Sequence, residues 1–382
     1  MTPPDAPEGG ETQRIGPIKL ALFALIPVTI LVLFAEVAAA ITISRDARVE
    51  RIGAEPARVY RMRTGSWPWS RRVETPINSD GFPDHEFPSA TETKTCIHLV
   101  VLGDSFVLGD GVDGDSSFTS IVGRALARLP DGRCVRTFNL GERGSTIPRQ
   151  ARRLRELRAR LRPDVVVLAQ YQNDLTDLLD PEPRDLSLAA IAADSAAAAA
   201  TRGGTPAVEA AGGAPSWGVV ADRFGFLNPR LVRFLAYHAF AALITNGIHR
   251  DELRHWSVIA DTARREEASR LQAQYTASFD SLSIELARDS VAFGVVIIPS
   301  KFDVMAGRFP EQAFFEELAT SRGIPALPLF PLFDRERTPY AFLMYDGHLN
   351  ERGNRLVAQA ILEWIESAES APFGLLRSSG TR

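Results

Sequence analysis

Short apolar runs constrain the fold of this chain more than any other feature. Most are apolar nearly throughout, and each stops at a glycine, a proline or a polar residue. Strands buried on both faces of a parallel sheet have this pattern, whereas a strand with one wet face alternates. Helix-length segments separate the runs, which is typical of an α/β fold. The runs are residues 97–102, 135–140, 165–169, 291–298 and 326–330.

A serine follows the first of these runs. Ile97–Leu102 leads directly into Gly103, Asp104 and Ser105. Ser105 is therefore expected at the carboxyl end of a strand, the edge at which open α/β sheets bind ligands. This position favours two roles equally, a reactive nucleophile and a cap for the next helix.

Three later segments also place polar residues directly after a predicted strand or just before the last predicted helix. Together with Gly103-Asp104-Ser105 they resemble the four blocks of the SGNH (GDSL-like) hydrolase superfamily, in the family's order. The resemblance covers about residues 78–366. It implies a three-layer α/β/α sandwich with a parallel, flavodoxin-like sheet, and a serine esterase. The segments are Asn139 to Gly144, Asn173-Asp174 and Asp346-Gly347-His348.

The resemblance implies a Ser-His-Asp triad. Ser105 would be the nucleophile, His348 its general base, and Asp346 the acid that orients the imidazole. Most SGNH enzymes place the acid three residues before the histidine, where this chain has Tyr345. The Asp-x-His spacing found here is similar to that of the alginate O-acetylation branch of the superfamily.

The resemblance also implies an oxyanion hole. Its donors would be the backbone N–H groups of Ser105 and Gly144 and the side-chain amide of Asn173. Tyr171 stands where the third block usually has glycine, and we expect it to narrow the pocket beside the hole. Two further acids, Asp104 and Asp174, are expected to brace the loops.

The amino-terminal part of the chain predicts a membrane anchor. Leu20–Ile43 is 24 residues long and carries only one charge, Glu36, and a bilayer-spanning helix needs about 20 residues. A buried core helix and a signal peptide cleaved near residues 38–40 are the alternatives. We expect residues 1–19 to be a disordered tail and residues 44–95 to be a juxtamembrane linker and lead-in to the domain.

The two cysteines suggest a disulfide. Cys96 and Cys134 each stand seven residues before a glycine that ends a predicted strand. If those strands are parallel neighbours in matching register, the cysteines lie about 5–6 Å apart, which suits a disulfide; two free buried thiols are the alternative. A disulfide indicates an oxidising compartment. We therefore expect a single-pass protein with an extracytoplasmic domain, although the arginines at 45, 48 and 51 favour the opposite orientation.

Several functional classes find no support in the sequence. The net charge of −4 and a pI near 6.0 give no reason to expect a nucleic-acid partner. The arginines of residues 151–162 are expected on the solvated face of a helix that buries Leu154, Leu157 and Leu161. No metal-binding or phosphate-binding motif is present, so we expect no metal and no cofactor. Val107 excludes the Gly-x-Ser-x-Gly elbow of α/β-hydrolases.

The expected domain runs from 96 to 370, with an Ala-rich and helical insertion at about 185–288 and a tail at 371–382. Pro299-Ser300-Lys301, after the fourth strand, resembles a Pro-x-Lys turn of related anchored members; Lys301 is expected at the surface, and a position lining the site is the alternative. By resemblance, the partner is a small-molecule or carbohydrate ester, with O-acetyl groups of envelope carbohydrate foremost. An O-acyltransferase acting on polysaccharide and a catalytically silent glycan-binding protein are the alternatives, and the sequence predicts no particular oligomeric state.

Overall fold

The computed structural model describes residues 17–42, 49–54, 59–64, 71–179, 257–336, 341–343, 347–367 and 373–377. Eight strands lie in these ranges. They are β1 (Val49–Ala54), β2 (Val59–Thr64), β3 (Arg71–Pro76), β4 (Ile97–Gly103), β5 (Val135–Gly141), β6 (Val165–Tyr171), β7 (Ala292–Ile298) and β8 (Ala326–Pro328). The last five form one parallel sheet in the order β5-β4-β6-β7-β8. The predicted parallel α/β sheet is confirmed.

Ten α-helices lie in the same described ranges. They are α1 (Pro17–Thr42), α2 (Ser105–Leu108), α3 (Phe118–Leu126), α4 (Ile147–Leu161), α5 (Asn173–Thr176), α6 (Arg265–Arg288), α7 (Lys301–Ala306), α8 (Pro310–Thr320), α9 (Phe330–Glu336) and α10 (Glu351–Glu366).

The sheet separates two hydrophobic cores. Val100 and Leu102 of β4 point into one core, whereas Leu99 and Val101 point into the other, because successive side chains of a strand alternate between faces. Helices α4, α6 and α8 cover the first face, and α3 and α10 cover the second. Burial on both faces is the reason that the strands read as continuous apolar runs.

Strand register brings the functional loops to one edge. Gly103 at the end of β4 is level with Gly141 at the end of β5, and Leu102 is level with Leu168 of β6. The loops after these three strands therefore start side by side. At the opposite end of the same strands, Cys96 and Cys134 form a disulfide, with their Cα atoms 4.8 Å apart.

The buried face of α4 matches the predicted one. Leu154, Leu157 and Leu161 are buried in the first core. Two arginines on the outer face pair with an acid of a neighbouring helix: Arg155 and Arg158 contact Glu285 of α6 at 2.7 and 3.2 Å. On α3, Phe118 and Val122 are buried in the second core, whereas Ala125 is exposed.

Three segments differ from the sequence-based expectation. Within the expected linker, β1, β2 and β3 form an antiparallel sheet of their own. Helix α6, which we placed in the insertion, belongs to the first core, where Leu271, Tyr275 and Phe279 are fully buried. In the expected tail, Phe373 is buried against Trp364, with ring centroids 4.9 Å apart.

The amino-terminal helix α1 exposes apolar side chains from Phe23 to Phe34. Over the part of the chain that the structure describes, no helix meets the length and hydropathy needed to cross a membrane. The Ala-rich stretch at 187–215, predicted to be an insertion, lies outside the described residues.

Candidate active site

Ser105 is held at the sheet edge by a single helical turn. It is the first residue of α2, and the Asp104 carboxylate accepts a hydrogen bond from the Phe106 N–H at 2.9 Å, which caps the turn. Gly109, at a φ of 83°, ends it. Gly141 of β5 packs directly against this turn, because a Cβ at that position would stand 2.1 Å from the Leu108 nitrogen. Asp104 thus caps the turn that carries Ser105, and Gly141 allows β5 to approach the backbone of that turn closely.

Ser105 and His348 meet although they are 243 residues apart in the chain. The distance from Ser105 Oγ to His348 Nε2 is 2.7 Å, within hydrogen-bond range. Ser105 is 8% exposed, and the Phe106 ring lies 5.0 Å from the imidazole, tilted by 34°. A base in this position can take the hydroxyl proton during attack on a carbonyl carbon.

A short hairpin carries His348. Phe342 and Leu349 form an antiparallel bridge, and the Leu343 N–H donates to the His348 carbonyl at 2.8 Å. Asn350 then caps α10 by accepting from the backbone N–H groups of its first turn. Asp346, the expected acid of the triad, lies outside the described residues.

The Gly144 loop reaches the same edge from β5. Gly144 adopts a φ of 57°, a conformation that favours glycine, and is partly exposed between the buried residues Arg143 and Ser145. The Arg143 guanidinium makes two hydrogen bonds of 2.5 Å to the Asp110 carboxylate, and both side chains are buried. The Asp110 N–H in turn donates to the Ser105 carbonyl. The ion pair therefore ties the Gly144 loop to the Ser105 turn.

Asn173 follows β6 as the first residue of α5. Its side-chain amide donates to Asp177 at 2.8 Å, and it also lies against Asp104, where its hydrogen bond lowers the pKa of that carboxyl. A carboxamide has two N–H donors. Both donors face carboxylates here, so Asn173 serves a substrate oxygen only by giving up one of these two bonds.

Asp104 and Asp174 form a buried acidic pair beneath these loops. Burial raises the pKa of Asp104 to about 6, an effect partly offset by the Phe106 N–H and by His348. The pKa of Asp174 is raised well above its usual value, by burial first and by the charge of Asp104 second. Like charges in one site oppose joint ionisation. The buried pair therefore resists carrying two negative charges.

Tyr171 occupies the space beside the histidine. Its ring centroid is 3.9 Å from that of Phe106. Its hydroxyl lies against the backbone of Gly347, 3.5 Å from the point where a Cβ would stand. The residue that replaces the expected glycine thus packs between the Ser105 turn and the His348 hairpin.

The structure corrects the expected surface position of Lys301. Lys301, expected at the surface, is only 4% exposed, and its Nζ donates to the Leu343 carbonyl at 2.5 Å. The sequence does place Lys301 in the turn after a predicted strand, at the edge of the sheet where ligands bind. Among the described residues, no group of three or more His, Cys, Asp or Glu could hold a metal ion.

Comparison with protein families identifies the class of the chain. The family model of the GDSL-like lipases and acylhydrolases matches residues 99–361, a range that contains Ser105, Gly144, Asn173 and His348. The chain belongs to this family. It is accordingly an ester-hydrolysing enzyme.

Solved structures similar to this chain share little sequence with it. LAE5, an α/β hydrolase enzyme from the metagenome of Lake Arreo, is 15% identical over 75% of this chain and 99% of its own, with a TM-score of 0.38. Axe2, an acetylxylan esterase from Geobacillus stearothermophilus, is 12% identical over 75% and 100%, at 0.37. The esterase EstA from Pseudoalteromonas sp. is 10% identical over 70% and 98%, at 0.36. No curated protein matches the chain.

Proposed function

We propose that the chain is a serine esterase that cleaves short O-acyl esters, acetyl esters above all. The observation that carries this proposal is the 2.7 Å contact between Ser105 Oγ and His348 Nε2. His348 takes the hydroxyl proton as Ser105 attacks the ester carbonyl, and returns it to the departing alcohol. Water then attacks the acyl carbon while giving a proton to His348, and His348 returns that proton to Ser105 Oγ as the acid departs.

The proposed oxyanion hole is formed by N–H donors from the loops that follow β4, β5 and β6. The Ser105 N–H belongs to the first turn of α2, whose leading N–H groups have no intrahelical acceptor. Gly144 and Asn173 offer the second and third donors. Fixed donors of this kind are worth about 3 kcal/mol each to an ester-cleaving transition state.

Charge near the imidazole supports the same mechanism. In the proposal, Asp346 accepts the Nδ1–H of His348 and fixes the tautomer. Asp104 faces the same ring, since the charge of His348 lowers the pKa of Asp104. An ionised Asp104 favours the imidazolium that forms when His348 takes the proton.

The proposed substrates are acetyl esters of envelope carbohydrates. Tyr171, packed beside His348 in place of glycine, leaves less room for an acyl chain than a glycine would. The proposal extends to location: α1 anchors the chain in a membrane and the domain lies on the extracytoplasmic side. The nine exposed apolar side chains between Phe23 and Phe34 support the anchor, and the Cys96–Cys134 disulfide supports an oxidising compartment.

Turnover of an acetyl ester tests the proposed function. The full-length protein is expected to release p-nitrophenol from p-nitrophenyl acetate, and Ser105→Ala is expected to lose this activity. Ser116→Ala, which alters a partly exposed serine outside the site, is the matched control and should keep it. Acetyl transfer to an oligosaccharide in preference to water would instead support the acyltransferase, and no turnover by the folded wild type would support the glycan-binding alternative.

A further inference from the structure

A buried lysine lies next to the histidine hairpin. Lys301 follows β7 as the first residue of α7, at the same edge of the sheet as Ser105. With 4% exposure, its ammonium is withdrawn from solvent and donates to the Leu343 carbonyl. The chain contains two other lysines, Lys19 and Lys94, and neither lies in this part of the sequence.

The partner of this lysine is also a partner of the histidine. Leu343 accepts from Lys301 through its carbonyl and donates through its N–H to the His348 carbonyl at 2.8 Å. Two hydrogen bonds therefore connect the end of β7 to the backbone of His348. The Phe342–Leu349 bridge extends this connection across the hairpin.

Neither helix stability nor core packing accounts for a lysine at this position. A cation in the first turn of a helix opposes the helix dipole, and α7 already has a complete capping box made by Ser300 and Asp303. Burial of an ammonium group carries a large desolvation cost, which an apolar side chain of the same length would avoid. The feature specific to an ammonium is the strong hydrogen bond to the Leu343 carbonyl.

We propose that Lys301 is a positioning residue that locks the paired segments 341–343 and 347–349, so that His348 Nε2 stays within reach of Ser105 Oγ. This inference rests on the esterase function proposed above. Lys301 does not touch the reacting atoms; it fixes the backbone that carries the base. Its loss therefore slows the chemical step and leaves substrate binding largely intact.

Lys301→Met tests this role, because methionine keeps much of the length and removes the ammonium. A misplacement of about 1 Å can lower a rate about 100-fold. We expect kcat for p-nitrophenyl acetate to fall by about that factor, KM to change by less than about threefold, and the rate of fluorophosphonate labelling to fall in parallel.

A second lysine provides a matched control. Lys94 also donates from Nζ to a backbone carbonyl, that of Arg162 at 3.0 Å, and it pairs with Asp164 at 2.6 Å. It precedes β4 and so lies at the opposite end of the sheet from Ser105. Lys94→Met removes a comparable interaction and is expected to leave kcat within about twofold of the wild-type value, since no reacting group is moved.

Chemical rescue separates positioning from general loss of structure. Both native cysteines are in the disulfide, so the thiol of Lys301→Cys can be alkylated selectively with 2-bromoethylamine in urea without reductant. After refolding, this treatment restores an ammonium at the length of lysine. We expect it to recover most of the kcat that Lys301→Cys loses, relative to wild type carried through the same treatment.

The outcomes distinguish failure of this inference from failure of the proposed function. If wild type turns over the ester and folded Lys301→Met has the same kcat, the positioning role is wrong and the esterase stands. If wild type neither turns over the ester nor labels at Ser105, the esterase itself is wrong. Should Lys301→Met not fold, 15N-lysine NMR of wild type decides. If one ammonium signal exchanges slowly with solvent and shifts when Ser105 is phosphonylated, the positioning role is supported. If the signals of all three lysines behave like those of exposed lysines, the role is wrong.

Discussion

Asp104 links the nucleophile to the base at the scale of single residues. It caps the turn that presents Ser105, and the charge of His348 lowers the pKa of its carboxyl. Two ionised carboxylates at this place would oppose the negative oxyanion, but burial raises the pKa of both Asp104 and Asp174, and the charge of Asp104 also raises that of Asp174. The buried pair thus disfavours a double negative charge beside the site.

Neutral substitutions at the two acids should have unequal effects. The pKa of Asp174 is raised by burial and by the charge of Asp104, so the neutral Asp174→Asn is expected to keep kcat/KM within about threefold of wild type at pH 7. Asp104→Asn keeps a capping side chain but removes the charge, so kcat should fall at least about tenfold. Steady-state kinetics on an acetyl ester give both values. Equal losses in the two variants would mean that Asp174 acts in its ionised form.

At the scale of elements, the carboxyl ends of β4, β5 and β6 supply the loops, and side-chain contacts fix how those loops meet. The Arg143–Asp110 pair is the main such contact for the Gly144 loop, and both partners are buried. Removal of one member of a buried pair is far more damaging than removal of both.

Arg143→Met should therefore lower the free energy of unfolding by about 3–5 kcal/mol, because Asp110 would lose its guanidinium partner. The double change Arg143→Met with Asp110→Leu should regain much of that loss. Urea unfolding of the two variants and wild type measures the difference. If Asp110→Leu lowers the free energy of unfolding of Arg143→Met by as much as it lowers that of wild type, the two side chains are not coupled.

The disulfide stabilises the opposite end of the same strands. It closes a loop with a sequence separation of 38 between β4 and β5, and loop-closure entropy for that length gives about 4 kcal/mol. We expect the double variant Cys96→Ser, Cys134→Ser to unfold at lower urea concentration and to keep wild-type kcat, because the strands separate it from Ser105. A large loss of kcat in the folded double variant would contradict this account.

At the scale of the whole molecule, buried acids make stability depend on pH in an unusual direction. Burial raises the pKa of Asp84 to about 6, that of Glu311 to about 7 and that of Asp303 to about 8. The native state binds these protons more tightly than the unfolded chain, so the free energy of unfolding falls as pH rises from about 4 to 8. Urea unfolding across that range tests the slope, and Glu311→Gln should flatten it between about pH 4.5 and 7. A slope of opposite sign would contradict the assignment.

The fold could be predicted from the sequence where buried segments have a recognisable apolar pattern. Strands β4 to β8 are buried on both faces and so read as apolar runs, and the equal spacing of Cys96 and Cys134 from Gly103 and Gly141 carries the strand register. The polar residues after those strands carry the site, since parallel strands bring their carboxyl ends to one edge.

The remainder depends on contacts that no local pattern reveals. Strands β1 to β3 are rich in charged residues and pair with one another, and the alternation on β3, where Val73 and Thr75 are buried and Glu74 is exposed, spans too few residues to predict a strand. Lys301 looks like a surface residue because its partner, the Leu343 carbonyl, is 42 residues away. Phe373 is a single aromatic residue after α10, and only the space above Gly294, where a Cβ would stand 2.4 Å from its ring, makes it part of the core.

The contact between Ser105 and His348 is the central claim, and site-resolved labelling with a fluorophosphonate tests it most directly. Intact wild-type protein is treated with the probe, digested and mapped by mass spectrometry, beside His348→Ala and Ser116→Ala. We predict one phosphonate on Ser105 in wild type and in Ser116→Ala, and labelling slowed at least about 100-fold in His348→Ala because the base is gone. Folded wild-type protein that carries no phosphonate on Ser105, or that labels equally fast without His348, would contradict the account.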